Sequence, residues 1–325
     1  MILKMLRVTL LEELLANFLN EITDVIGILI VDLDGLIIAR QSIKNFDEEI
    51  IGAIMSVLEG SLNKIKRFTD TSYGSGTLDT NEFRLFYLEL GNVGSTRALF
   101  VLVADPYSDI NKFIPYSYIA AERASQILSD RKTSTKFPKL VNGGKIKLIS
   151  EEGVDDNTII NKIILIGADA VGKSAIVNMY VNGDFFEEYI PTLGLSIINK
   201  ELQIMKDIKI TFSIFDLGGL KSFAKIRRHF YQHSKAVLIV FDYLRPETLK
   251  MIDGWIDEAR QFIKDSTIPY IIVGNKIDKL ENKEEIRTYA EQLAKQYNFQ
   301  FFETSALTGE GLDELFMYLT SNIGI

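Results

Sequence analysis

The octapeptide Gly167-Ala168-Asp169-Ala170-Val171-Gly172-Lys173-Ser174 constrains this chain more than any other feature. An apolar segment over 162–166 precedes it and reads as a strand, and a helical pattern runs on through Tyr180. Between a strand and a helix, this pattern forms a loop whose backbone amides wrap a phosphate. Gly167 and Gly172 let the chain close around the anion. The loop N–H groups and the helix N-terminus supply partial positive charge. Lys173 is placed to reach the β- and γ-phosphates, and the Ser174 hydroxyl to ligate Mg²⁺. By itself the motif does not separate ATP from GTP.

The base is read further on. Asn275-Lys276-Ile277-Asp278 follows an apolar strand at 270–274. A carboxylate at Asp278 can accept from both the N1–H and the 2-amino group of guanine. Adenine offers no such donor pair, so a buried Asp278 is left unpaired with ATP, and unpaired buried groups are how sites reject analogues. Glu303-Thr304-Ser305-Ala306 follows a strand at 299–302 and supplies a second base loop, with the Ala306 N–H expected to face the base oxygen. Asp216-Leu217-Gly218-Gly219 ends a strand at 208–215. Asp216 is expected to hold Mg²⁺ through water, and Gly219, lacking a side chain, to bring its N–H to the γ-phosphate. Thr192, in Tyr-Ile-Pro-Thr, is placed to add a second hydroxyl to Mg²⁺ when GTP is bound. Losing that contact on hydrolysis releases its segment.

In this order and at these spacings, the five motifs resemble the Ras-superfamily small GTPases over residues 161–322. Asp169-Ala170, Asp-Leu-Gly-Gly and Arg228-His229-Phe230 look like the Arf branch. Tyr189-Ile190-Pro191-Thr192 and Glu303-Thr304-Ser305-Ala306 look more like Ras, Rho and Rab. The resemblance implies an α/β fold: a mostly parallel six-stranded sheet with helices on both faces, over 159–325. It implies GTP/GDP and Mg²⁺ as cofactors. Phe185 is implied to pack on the guanine edge and Tyr189 to shield the phosphates. Gly167, Asp169, Ala170, Val171, Gly172, Lys173, Ser174 and Ala175 form the phosphate side of the implied site. Asn275, Lys276, Asp278, Ser305, Ala306 and Leu307 form its base side. Ser174, Thr192 and Asp216 are the implied metal ligands. Lys173, Thr192, Gly219 and the residue after it are the implied catalytic group.

The residue after Gly219 is Leu220, where the family usually has the Gln that orients the attacking water. A leucine cannot hydrogen-bond water, so intrinsic hydrolysis is expected to be slow. Arg227 and Arg228 are close enough in sequence to be considered as arginine fingers, against the alternative that they cover the sheet or sit in solvent. His229 and His233 read as packing or surface residues. A nucleotide-stabilised scaffold without a working cycle is the alternative function.

Residues 1–130 read differently. A helix over 8–22 places Leu11, Leu14, Leu15, Phe18 and Ile22 on one face. A strand at 26–31 meets a two-residue Asp34-Gly35 hairpin turn and a return strand at 36–39. Asn45 with Glu48 reads as a capping box for a helix with the stripe Ile50, Ile54, Val57, Leu58, Leu62 and Ile65. Strands at 83–90 and 98–104 and a helix over 114–129 complete the segment. The run Ile28-Leu29-Ile30-Val31-Asp32-Leu33-Asp34-Gly35-Leu36-Ile37-Ile38-Ala39 and the helix over 47–65 resemble the roadblock domain of the dynein light chains, an α+β fold. A profilin-like or longin-like sheet competes. The resemblance implies a homodimer and regulation of GTPases, with protein effectors as further partners.

Residues 131–158 read as a linker, with Pro138 and Gly143-Gly144 breaking regular structure and a short strand at 145–149. Its lysines precede an acidic patch at Glu151, Glu152, Asp155 and Asp156. With a net charge of −8, the chain repels phosphate backbones, so no nucleic-acid partner is expected. Zero cysteines exclude thiolate metal sites and prenyl or palmitoyl anchors. From Ile2 no myristoyl group is expected, and from Glu12-Glu13, which interrupts the N-terminal apolar run, no signal peptide. A cytoplasmic location is expected, with any membrane contact made through partners.

Overall fold

The computed structural model describes residues 2–22, 24–44, 46–69, 74–93, 96–137, 140–141, 145–146, 158–205, 208–279 and 283–323. The chain divides into two compact units, Met1–Ser150 and Glu151–Ile325.

The first unit runs α1 (Ile2–Glu21), β1 (Val25–Asp32), β2 (Ile37–Ser42), α2 (Glu48–Thr69), β3 (Ser75–Asp79), β4 (Arg84–Val93), β5 (Thr96–Ala104), α3 (Ile114–Leu128), β6 (Leu140–Val141) and β7 (Lys145–Ile146). Strands β1 to β5 form an antiparallel sheet in the order β2-β1-β5-β4-β3. Side chains alternate between its faces. Leu29, Val31, Leu85, Tyr87, Leu99 and Val101 meet Ile51 and Met55 of α2 on one face. On the other, Phe18 of α1 lies 6.0 Å from the Phe100 ring and 5.2 Å from Tyr116 of α3. All five apolar residues expected on one face of α1 are buried.

Several local expectations change. The β1–β2 connection is longer than a two-residue hairpin: Asp32 Oδ1 accepts from the N–H groups of Asp34 (3.0 Å) and Leu36 (2.9 Å), and Gly35 takes φ +84°. This Asx turn delays the return strand to Ile37. Helix α2 is capped by Asp47, whose Oδ1 accepts from Glu49 (3.1 Å) and Ile50 (3.2 Å); Asn45 lies outside the described residues. Ile51 and Met55 are fully buried in the core and the expected Ile54 and Leu58 pack against it half-buried, while Ile50 (51% exposed) and Val57 (74%) point to solvent. The Leu62 and Ile65 side chains lie outside the described residues. Strand β3 is a strand the sequence pattern does not announce, because Ser-Gly-Thr-Leu-Asp carries almost no apolar signal.

The start of the expected linker, 131–137, is anchored to this first unit. Asn17 Nδ2 donates to the Thr135 carbonyl at 3.0 Å, and the Phe137 ring lies 5.5 Å from Phe18. Of the expected strand at 145–149, residues 145 and 146 form β7, paired with β6, and 147–149 lie outside the described residues. Pro138, Gly143-Gly144 and the acidic patch fall outside the described residues.

The second unit runs β8 (Thr158–Ile166), α4 (Lys173–Asn182), β9 (Leu195–Met205), β10 (Ile208–Leu217), α5 (Ala224–Arg227), β11 (Ala236–Asp242), α6 (Ile252–Phe262), β12 (Tyr270–Asn275), α7 (Glu284–Tyr297), β13 (Gln300–Thr304) and α8 (Leu312–Ile323). Its sheet has six strands in the order β13-β12-β11-β8-β10-β9, parallel except for β9. Strands β11 and β12 are buried along their whole length, as strands covered on both faces must be. Ile176 and Val177 of α4 and Leu315, Phe316 and Leu319 of α8 cover Phe212 and Ile214. The opposite face carries Phe215 beside Phe230, with Tyr231 stacked on Phe262 of α6. The chain leaves β8 in one direction across the sheet and returns to β11 on its other side. Open α/β sheets bind ligands at such a reversal, beyond the carboxyl ends of the strands.

Candidate functional site

The loop leaving β8 lies at this reversal. Its backbone takes positive φ at Gly167 (+140°), Ala170 (+57°) and Gly172 (+99°). A Cβ on Gly167 would stand 2.2 Å from the Val240 carbonyl oxygen, and one on Gly172 would stand 2.2 Å from Asn275 Nδ2. Both positions therefore require glycine for conformation and for room. Lys173 is buried, and its ammonium donates to the carbonyls of Gly167 (3.0 Å) and Ala168 (2.8 Å). Burial pulls its pKa down to about 8, against the opposing pull of Asp216 and Asp169. Val171 is buried, and Ala175 is half-buried in the first turn of α4.

Three residues far apart in sequence converge beside the loop. Ser174 Oγ donates to Asp216 Oδ2 at 2.5 Å, and Thr192 Oγ1 donates to the same oxygen at 3.2 Å. The two hydroxyl oxygens are 2.9 Å apart. Asp216 Oδ1 is buried with no hydrogen-bond partner among the described residues. Burial raises the Asp216 pKa, although Lys173 and the two hydroxyls oppose it. Two hydroxyls and a carboxylate with an unsatisfied oxygen form the hard, all-oxygen set that suits Mg²⁺. Gly219 lies against the phosphate loop, since a Cβ there would be 2.6 Å from Gly167 O. Gly218 N–H donates to Gly194 O at 2.9 Å, which ties the Asp216–Gly219 turn to the Thr192 segment. Tyr189 closes over the loop with its hydroxyl on the Asp169 carboxylate. Phe185 is at the surface, and no described ring contact or hydrogen bond joins it to the base-side residues.

On the base side, Asn275 is the brace. Its Nδ2 donates to Val171 O (3.0 Å), and its Oδ1 accepts from Ala306 N (3.0 Å) and Thr304 Oγ1 (3.3 Å). The Ala306 N–H, expected to face a base oxygen, is bonded here to Asn275 Oδ1. Asp278 is exposed at the rim of the site, with Oδ1 held by Ser305 Oγ at 2.6 Å. Leu307 is exposed beside it. Lys276 donates to Ala170 O (2.9 Å) and to Asp242 Oδ2 (2.7 Å).

Sequence reasoning missed Asp242 and Arg245. Asp242 ends β11 buried, bonded to Lys276, to Arg245 Nε (3.0 Å) and to the Leu244 N–H (2.9 Å). Arg245 in turn donates to Asp169 O at 2.6 Å. An aspartate closing a wholly apolar strand was the available signal. Arg227, considered as a finger, is buried against Trp255 and bonded to Glu258, and makes no described contact with the phosphate loop. Arg228 and His229 are exposed neighbours.

A parallel sheet with an amide-lined loop at its reversal, an oxygen-donor metal set and a carboxylate at the base rim defines a guanine-nucleotide-binding switch domain. Comparison with known proteins is consistent with this. The Ras family model matches residues 162–324, and the Roadblock/LC7 domain model matches residues 11–89. The chain belongs to the Ras family, with a Roadblock/LC7 domain ahead of its GTPase domain. It is 33% identical over 173 residues to GTP-binding protein YPT53 of Saccharomyces cerevisiae, covering 51% of this chain and 77% of that one. It is 33% identical over 162 residues to Ras-related protein Rab-7b of Mus musculus, covering 49% and 80%. It is 31% identical over 166 residues to DnaJ homolog subfamily C member 27 of Gallus gallus, covering 50% and 60%. Among the described residues, no helix is long and apolar enough to cross a membrane.

Proposed function

We propose that the second unit is a GTP-operated switch with slow intrinsic hydrolysis, recruiting partner proteins while GTP is bound, and that the first unit pairs two copies of the chain. The observation that carries this is the convergence of Ser174, Thr192 and Asp216 beside Gly219. Bound Mg²⁺ would neutralise phosphate charge between these three residues. A third phosphate then has two chain segments to hold, through the Thr192 hydroxyl and the Gly219 N–H. Removing it releases both, and that difference is what a partner reads.

Slow turnover follows from Leu220, whose side chain has no atom to position water. Leu220→Gln is expected to raise single-turnover GTP hydrolysis by at least about tenfold, because such a group orients the nucleophile in related switches. An unchanged rate would remove Leu220 as the limiting defect. Undetectable turnover in both proteins, with one guanine nucleotide retained per chain, would favour the scaffold alternative.

Pairing rests on the outer face of α2. Ile50, Ala53, Val57 and Gly60 are exposed three or four residues apart, a stripe without charge. Val57→Asp is expected to convert a dimer to a monomer by sedimentation velocity, with the fold retained. A dimer that persists in this variant would move the interface elsewhere. A dimer would also hold two GTPase units at raised effective concentration.

A further inference from the structure

Arg227 is bonded along both edges of its guanidinium. Nε and Nη2 donate to the two carboxylate oxygens of Glu258 on α6, at 2.8 and 2.9 Å. Nη1 donates to the carbonyls of Gly218 and Leu220, both at 2.8 Å. The guanidinium carbon lies 4.7 Å from the centre of the Trp255 ring, and the side chain is 3% exposed. Glu258 is steadied in turn by the Tyr231 hydroxyl, which donates to Oε1 at 2.7 Å.

We propose that Arg227, held by Glu258, is a positioning residue that aims the Gly219 N–H at the third phosphate. The proposal rests on the reading of this unit as a GTP switch. A trans peptide is planar, with its C=O and N–H pointing in opposite directions. The carbonyl of Gly218 and the N–H of Gly219 belong to one peptide. Fixing that oxygen on Arg227 therefore turns the Gly219 N–H to the opposite side. The second bond, to Leu220 O, holds the Leu220–Lys221 peptide, so of the peptide planes around Gly219 and Leu220 only the one between them lacks a bond to Arg227. Glycine is otherwise the residue freest to let them rotate. A guanidinium suits this task because its fixed fork serves two carbonyls and a carboxylate at once; an ammonium on a flexible stem does not. Arg227 acts through the backbone and needs no contact with nucleotide. Its buried pairing also explains why a side chain bonded to the phosphate-sensing turn makes no described contact with the phosphate loop.

The test uses the full chain, the conservative variants Arg227→Lys and Glu258→Gln, and two probes, GDP and the non-hydrolysable analogue guanosine 5′-[β,γ-imido]triphosphate, with Mg²⁺. The expected result is an analogue affinity lowered about tenfold in each variant, the scale of one hydrogen bond to phosphate. GDP affinity is expected to change by less than about twofold, since GDP has no third phosphate for Gly219 to reach. Thermal midpoints report folding alongside. A wild-type ratio of the two affinities in both variants would overturn the clamp. So would an equal loss for GDP and analogue, which is the mark of a merely structural ion pair. Wild-type protein that binds neither probe would overturn the nucleotide-site reading, and the clamp with it.

Discussion

Asp278→Asn is expected to weaken GTP binding by about a thousandfold while leaving the thermal midpoint of the nucleotide-free chain unchanged. Asp278 is exposed, and its Oδ1 accepts from Ser305 Oγ at 2.6 Å. An asparagine oxygen can keep that bond, so the loop should hold its place. The other oxygen becomes an NH₂, which then faces the N1–H and 2-amino donors of guanine. Two charge-assisted hydrogen bonds are lost, each worth about 1.5–3 kcal/mol, and donors are set against donors. Xanthosine triphosphate carries a carbonyl where guanine has its amino group, so it should bind this variant better than GTP does. Competition against a fluorescent GDP analogue measures both. Unaltered GTP affinity, or equal loss for GTP and xanthosine triphosphate, would remove Asp278 from base recognition. Because the carboxylate is exposed at the rim, its selectivity depends on the base covering it.

The second large effect is expected at Lys173, with opposite signs on binding and stability. Lys173→Ala should lower GTP affinity on the order of a hundredfold or more, by removing a charged donor to two phosphates. In nucleotide-free protein the same substitution should not destabilise the fold at neutral pH. Burial holds the ammonium pKa at about 8, below the ordinary 10.5. Between those values the unfolded chain carries a proton that the native chain has shed, so wild-type stability rises with pH across that window. Below about 8 the native state carries the full cost of the buried charge. The variant lacks both the cost and the slope. Urea unfolding between pH 7 and 10, with binding measured beside it, reads the two effects. A steep loss of stability at pH 7 would show that Lys173 supports the fold rather than opposing it.

What the sequence made legible was chemistry that lies in short, local patterns. The phosphate loop, the Asp216 turn and the two base loops each follow a strongly apolar strand, and each emerges at the end of the sheet where such strands release the chain. Contacts that depend on three-dimensional convergence were less accessible. The Asn275 side chain reaches two separate loops, bonding Val171 O and the Ala306 N–H, a brace that no spacing announces. Arg227 and Glu258 are placed on different helices, and no local pattern links them. In the first unit, α2 has apolar residues in adjacent pairs, Ile50-Ile51, Ile54-Met55 and Val57-Leu58. A period of 3.6 fits either member, and only packing against Leu29, Val101 and their neighbours selects Ile51 and Met55 for full burial, with Ile54 and Leu58 half-buried beside them. Strand β3 escaped notice because backbone pairing with β4, rather than side-chain pattern, makes it a strand.

The most direct measurement is displacement of fluorescent GDP from the full-length chain, in Mg²⁺, by GTP and by ATP. Displacement by GTP at concentrations at least a thousandfold lower than ATP requires is the expected result, in line with the discrimination a hydrogen-bonding site can reach. Displacement by both at similar concentrations would contradict it.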